Sequence, residues 1–226
     1  MPGLAAAWML TTMGAGGTAR PDEARSARAM GATIRALRDH AHLSQIALGE
    51  RISLHQNYIG AIERGEIRSP GLVTLDRIAR GLGVSIAVFA TSYVTPPDVR
   101  ALRIDATAGR SRGGETHDPE ALGHAIRVVR RRLKLTQDQL GAAIDMHRSH
   151  IGAIENGEKA NPRIATIARI ASGLTAKLGP DEPSLLPLFA QTFTGEKTVA
   201  DVRATVDPKP SGSPGVRCVP QVGADT

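Results

Sequence analysis

The sequence is poor in aromatic residues and almost without cysteine, and each shortage closes off a class of protein. Phe, Trp and Tyr make up 3% of 226 residues, so any core must be small and aliphatic, as in compact helical modules near the lower size limit for independent folding. The one cysteine, Cys218, excludes an internal disulfide and a cysteine-based zinc site, which suits a reducing cytoplasm. No run approaches the ~18 apolar residues of a membrane span. Leu4 to Leu10 are the most hydrophobic part of the leader, yet no basic segment precedes them as a secretory signal requires. Also missing are a Gly-x-x-x-x-Gly-Lys phosphate loop, a nucleophile elbow and a metalloprotease histidine pair. His147 and His150 lie three apart on one helix face, but neither a carboxylate nor a third histidine is implied beside them. No catalytic residue, metal or cofactor is expected, and the chain is not read as an enzyme.

What the sequence does contain is a repeat. Gly31 pairs with Gly123, an offset of 92 residues, and the match runs without a gap to Leu82 and Leu174 with close to half the positions identical. So long a self-match is a duplication, and it predicts two small domains in place of one large one. In each copy the apolar positions divide the centre into two short helices. Leu48 and Ile52 give the first an inward face, and Ile59 and Ile62 lie one turn apart on the second. Ser44 stands where an N-cap belongs, and Thr136 followed by Gln139 is a capping box. Ser53-Leu54 and Asp145-Met146 turn the chain between the helices, and Gly65 and Gly157 accept a left-handed stop after the second. Two helices with so short a connection make a helix-turn-helix.

The outward side of the second helix points to a function. With Ile59 and Ile62 inward, Gln56, Asn57, Gly60, Ala61 and Arg64 share one exposed side, and copy two places Arg148, Ser149, Gly152, Ala153 and Asn156 there. Gln and Asn bond adenine edges, Arg bonds guanine, and Ala touches a thymine methyl, so this is a base-reading surface low enough to enter a groove. A merely solvated polar face is the alternative, and the duplication of the same surface counts against it. Farther on, Ser69-Pro70 and Asn161-Pro162 read as an N-cap followed by the first helical residue. A helix N-terminus beside basic side chains is an anion site, which makes Arg64, Arg68, Lys159 and Arg163, with Asn156 in the place of Arg64, candidates for phosphate contact. A net charge of +6 and a pI near 10.1 suit a polyanionic partner.

At this level of detail the chain resembles a known family. Gln45-x-x-Leu48-Gly49, Ile59-x-x-Ile62-Glu63-x-Gly65, Pro70 and Leu75-x-x-Ile78-Ala79 look like the phage-repressor and Cro-like (XRE-type) helix-turn-helix domain. Copy two repeats them as Gln137-x-x-Leu140-Gly141, Ile151-x-x-Ile154-Glu155-x-Gly157, Pro162 and Ile167-x-x-Ile170-Ala171. The resemblance implies that Gln45 and Gln137 touch a DNA phosphate. It implies that His55, Gln56 and Asn57 with Gly60 and Ala61 read bases in copy one, and His147, Arg148 and Ser149 with Gly152 and Ala153 in copy two. It also implies structural ion pairs of Arg38 with Glu63 and of Arg130 with Glu155, which fix orientation more than they stabilise. Ser53 and Asp145 depart from the family's turn glycine; Asp tolerates the left-handed conformation better than Ser, so a slightly different first turn is expected.

The remaining segments complete an all-α expectation: two tandem repressor-like five-helix domains on a flexible linker. Residues 1–23 read as a disordered leader, 24–90 as the first domain, 91–118 as the linker, 119–190 as the second domain and 191–226 as a disordered tail rich in Pro, Gly, Ser and Thr. Ser184 to Ala190 echoes Ser85 to Ala90 as a displaced fifth helix. Leu185, Leu186, Leu188 and Phe189 equally make 185–189 a candidate surface for a protein partner or a homodimer. A coil of about 28 residues spans near 30 Å at ~5–6 Å × √n, against about 34–36 Å between half-sites one turn apart. One chain is thus able to occupy both halves of an operator, or two unrelated sites. The leading expectation is a cytoplasmic, nucleoid-associated, sequence-specific regulator that binds double-stranded DNA. The alternative is an antitoxin-type or other protein-interaction module that has kept the scaffold.

Overall fold

The computed structural model describes residues 23–95, 117–179 and 182–206, and among these every regular element is a helix. The leader, most of the linker, Cys218 and the end of the tail lie outside them. The first domain comprises α1 (Glu23–His40), α2 (Gln45–Ile52), α3 (Gln56–Glu63), α4 (Leu72–Leu82) and α5 (Ile86–Val94). The second comprises α6 (Pro119–Arg132), α7 (Gln137–Ile144), α8 (Arg148–Glu155), α9 (Ile164–Leu178) and α10 (Leu186–Phe193), followed by α11 (Val199–Val206). None of these helices is long and apolar enough to cross a membrane.

Local sequence explains most of the boundaries. Ser44 Oγ accepts from the Ala47 N–H at 3.0 Å and so starts α2. Thr136 and Gln139 exchange both bonds of a capping box, at 2.8 and 3.0 Å, and start α7. Asp118 caps α6 with Pro119 in its first turn. Met30, Ile34 and Leu37 recur at helical spacing and are buried on α1, as are Leu72, Leu75 and Ile78 on and beside α4's inner stripe. These aliphatic stripes, with Leu48, Ile52, Ile59 and Ile62, form the core that holds α2 and α3 together.

The turn of the helix-turn-helix is the same in both copies. Ser53 has φ 54° and ψ 44°, and Asp145 has φ 52° and ψ 55°, so the expected difference between the turns is absent: the fold imposes the left-handed conformation whichever residue sits there. An L-residue in that region costs about 1–2 kcal/mol, partly offset by glycine's greater freedom when unfolded. Ser53→Gly should therefore raise stability by about 0.5–1 kcal/mol, and Asp145→Gly by less; a drop in the urea midpoint of Ser53→Gly would contradict this.

Several boundaries differ from the sequence reading. α5 continues to Val94, past Thr91 where the sequence suggests the linker begins. α9 runs on to Leu178, so the extra residues of the second copy lengthen a helix before the displaced α10. The segment read as disordered tail carries the end of α10 and then α11, which packs on α6 with Val202 fully buried. Thr198 and Asp201 explain its start, since the Thr198 N–H and hydroxyl both donate to Asp201 Oδ2 and the Asp201 N–H donates back to Thr198 Oγ1.

The largest departure concerns how the domains meet. α5 and α10 form the most extensive helix pairing among the described residues. Leu185, Leu186 and Phe189 are buried there and against α6 and α9 while Leu188 is half-buried, so most of the 185–189 surface that the sequence offers to a partner is covered from within the chain. Around this seam, Ser85 Oγ and, at 3.5 Å, the Ile86 N–H donate to the Glu196 carboxylate, which thereby caps α5 from the far side. His117 Nε2 lies 3.0 Å from Asp76 Oδ2 while its ring stacks on Phe193, centroids 5.2 Å apart.

A second junction runs through the loops after α3 and α8. Gly71 and Arg163 form an isolated antiparallel bridge: the Leu72 N–H donates to the Pro162 carbonyl and the Ile164 N–H to the Pro70 carbonyl, each at 3.0 Å. Ser69 and Asn161 do not cap their own helices as the sequence suggests. Asn161 Oδ1 accepts from the Val73 N–H of α4, at 3.1 Å, and Ser69 Oγ accepts from the Ala165 N–H of α9, at 3.2 Å. Each domain caps the fourth helix of the other. Pro70 and Pro162 accordingly lie outside the helices, which begin two residues later at Leu72 and Ile164, because the intervening backbone is spent on the crossing.

Candidate nucleic-acid interface

Each outward ridge is held up by a close backbone approach. A Cβ on Gly31 would stand 2.4 Å from the Ile62 carbonyl oxygen and 2.6 Å from that of Glu63, and one on Gly123 would stand at the same distances from Ile154 and Glu155. Only glycine lets α1 and α6 press against the ends of α3 and α8. Ile59, Ile62, Ile151 and Ile154 then face inward, each at most 2% exposed, which turns the polar side of both helices to solvent.

The same helix ends are locked by charge. Arg38 donates through Nε to Glu63 Oε1 at 2.7 Å and through NH2 to Oε2 at 3.1 Å, while its NH1 reaches the Leu43 carbonyl at 2.7 Å. Arg130 does the same to Glu155, at 2.6 and 2.8 Å, and to the Leu135 carbonyl at 2.7 Å. The hydrogen bond to Glu63 raises the Arg38 pKa, against the pull of burial. Burial pushes the Glu155 carboxyl up, but hydrogen bonds from Arg130 and Gln137 and the charges of Arg130 and Arg127 outweigh it and hold the group below its ordinary value. Arg127 is an added partner that the first domain lacks: its NH2 donates to the Glu155 carbonyl at 3.0 Å and to Asn156 Oδ1 at 2.6 Å, whereas the matching Arg35 is exposed and paired with Asp39 at 3.8 Å.

The predicted base readers fall into two groups. Gln56 and Asn57 are exposed on α3, as are Arg148 and Ser149 on α8. Ala61, Gly152 and Ala153 are half-buried. Gly60 departs from the expectation of an open position: it is buried, because Gln45 and Arg64 lie across it, where an added Cβ would meet Arg64 NH1 at 3.0 Å and Gln45 Oε1 at 3.2 Å. His55 and His147 serve first as N-caps, their Nδ1 atoms accepting from the Asn57 N–H at 3.2 Å and the Ser149 N–H at 3.3 Å.

The phosphate candidates are more constrained than the sequence suggests. Gln45 and Gln137 each donate through Nε2 to the buried glutamate, at 2.8 and 2.9 Å. Arg64 is held by Glu66 at 2.6 Å, and the Asn156 amide donates to Glu158 at 3.1 Å. Arg68, Lys159 and Arg163 are exposed, but the N-termini of α4 and α9 beside them are not free anion sites, since the N–H groups of Leu72, Val73, Ile164 and Ala165 are used in the crossing. His147 and His150 are both exposed, and no group of three or more His, Cys, Asp or Glu among the described residues is placed to hold a metal ion.

Sequence reasoning missed one residue of this surface. Ile46 is 54% exposed on α2 and lines a shallow hollow of about 390 Å³ with Leu54, His55 and Gln56. Its counterpart in the second domain, Asp138, pairs instead with Arg148 at 3.5 Å. No signal in the sequence marks it, because single apolar residues are ordinary on a folded surface.

Comparison with known proteins agrees with this geometry. The helix-turn-helix family model matches residues 34–89 and again 126–178, which are the two copies of the repeat. No curated protein and no solved structure matches the chain.

Proposed function

Because the chain carries two helix-turn-helix domains of the Cro-like (XRE) type, we propose that it is a transcriptional regulator that binds specific double-stranded DNA sequences through α3 and α8. The observation that carries this reading is the pairing of exposed Gln56 and Asn57, and of exposed Arg148 and Ser149, with a helix whose opposite side is fixed by a buried arginine–glutamate lock. Gln56 is suited to adenine and Arg148 to guanine, each good pair discriminating by about 1–3 kcal/mol. Ile46 and Ala61 add apolar surface of the kind that meets a thymine methyl. Arg68, Lys159 and Arg163 supply phosphate contacts through their side chains alone, which position without specifying. Regulation then follows from occupancy: a bound site blocks or recruits other proteins.

Enrichment from a random duplex pool, followed by salt titration of the enriched site, tests this. Affinity should fall steeply with salt and exceed that for random duplex by about 10³-fold or more. Gln56→Ala should cost about 1–3 kcal/mol on the enriched site and relax selectivity, while Arg68→Ala should weaken all duplexes alike and flatten the salt slope by about one. A pool without enrichment, or Gln56→Ala binding as the unaltered chain does, would overturn the reading.

A further inference from the structure

The contacts between the domains have a formal property that packing alone does not require. Leu72 bonds to Pro162 and Ile164 to Pro70; Val73 bonds to Asn161 and Ala165 to Ser69; Gly71 bridges Arg163. Adding the repeat offset of 92 to the first-copy member of one bond and subtracting it from the second-copy member gives the members of its mirror bond, and the bridge maps onto itself. This is the signature of an isologous interface, in which residue i meets j and j meets i about a two-fold axis. Here the two surfaces belong to one chain.

We infer that one chain occupies both halves of a single bipartite DNA site, as a monomer, at one fixed half-site separation, with halves that differ in sequence. This rests on the DNA-binding reading above and adds stoichiometry, spacing and polarity to it. Duplex DNA has local two-fold axes of its own, so a two-fold is the symmetry by which two recognition helices meet the two halves of one site. The separation is set by the crossing and not by the linker, because only seven residues lie between the end of each recognition helix, Glu63 or Glu155, and the bridging residue. The seam adds rigidity: of the six aromatic residues in the sequence, four (Phe89, Tyr93, Phe189 and Phe193) lie on α5 and α10, each at most 1% exposed. A chain this short of aromatic residues has concentrated them where its halves join. The interface that a second copy would need is thus filled internally.

The two-fold holds for the frame and fails for the readers. Gln56 corresponds to Arg148, Asn57 to Ser149 and Ile46 to Asp138. The first half-site is therefore A·T-rich under α3, and the second carries guanine under α8. A site of two unlike halves gives the bound protein a direction along the DNA, which two identical domains on a palindrome lack.

The test uses the full chain on the enriched duplex, on versions with 5 or 10 bp inserted between the halves, and on each half alone, with stoichiometry read from complex mass. A fixed frame predicts one chain per site. It also predicts that both insertions lower affinity at least a hundredfold, to that of a single half, since two-site engagement is worth 10²–10⁴. Domains swinging on a tether would tolerate the 10 bp insertion, which restores the helical face; that result overturns the inference while leaving sequence-specific binding intact. Two chains on one site, or an enriched sequence with a single motif, would overturn it as well. A pool with no enrichment removes both this and the reading beneath it.

Discussion

Replacing Arg38 with methionine lowers the unfolding free energy by about 3–5 kcal/mol, because it leaves the Glu63 carboxylate buried without its bidentate partner. Arg130→Met costs less, since Arg127 Nε already stands 3.5 Å from Glu155. Removing both members, as Arg38→Met with Glu63→Leu, recovers most of the loss: apolar pairs of similar volume commonly match a buried ion pair. Urea midpoints of the three variants check the order. The lock also gives the second domain an acid response with a definite sign. Folding lowers the Glu155 pKa below its ordinary 4.5, so the unfolded chain binds more protons between the folded value and 4.5. The contribution is complete above 4.5 and lost as pH falls through the folded value. Glu155→Gln should flatten that part of the stability curve.

Phe189→Ala should be nearly as severe, at about 3–5 kcal/mol, although it lies on α10 and on neither recognition helix. Phe189 is fully buried in α10, which packs on α5 across the seam as well as on α6 and α9 within its own domain. The added cavity should loosen both domains at once. Hydrogen exchange in α5 should therefore rise along with that in α9, although α5 belongs to the other copy. If protection fell only within the second domain, the seam would not couple the two halves.

Which parts of this architecture the sequence foretells has a physical pattern. Caps and periodicity act within a few residues, so Ser44, the Thr136 and Gln139 box and the inward isoleucines were readable, and so was the paired motif on which the family resemblance rests. α11 was readable too, from Val199, Val202 and Val206 at helical spacing behind Thr198 and Asp201, but a tail composition rich in Pro and Gly hid it. The crossing was not. Ser69 and Asn161 look like caps, and they are caps, but of each other's helices. Nothing in a local window says which of two equivalent N-termini a side chain serves. In the same way, Gly60 looked open because helical spacing ignores the Gln45 and Arg64 side chains that fold across it.

The central claim is that α3 and α8 read unlike halves of one site from one rigid frame, and base-resolved protection of the enriched duplex tests it most directly. The expected footprint is two protected stretches on one face, a helical turn apart; guanine protection disappears from one of them alone in Arg148→Ala, and adenine protection from the other alone in Gln56→Ala. A single stretch, or two that respond alike to both variants, would contradict the account.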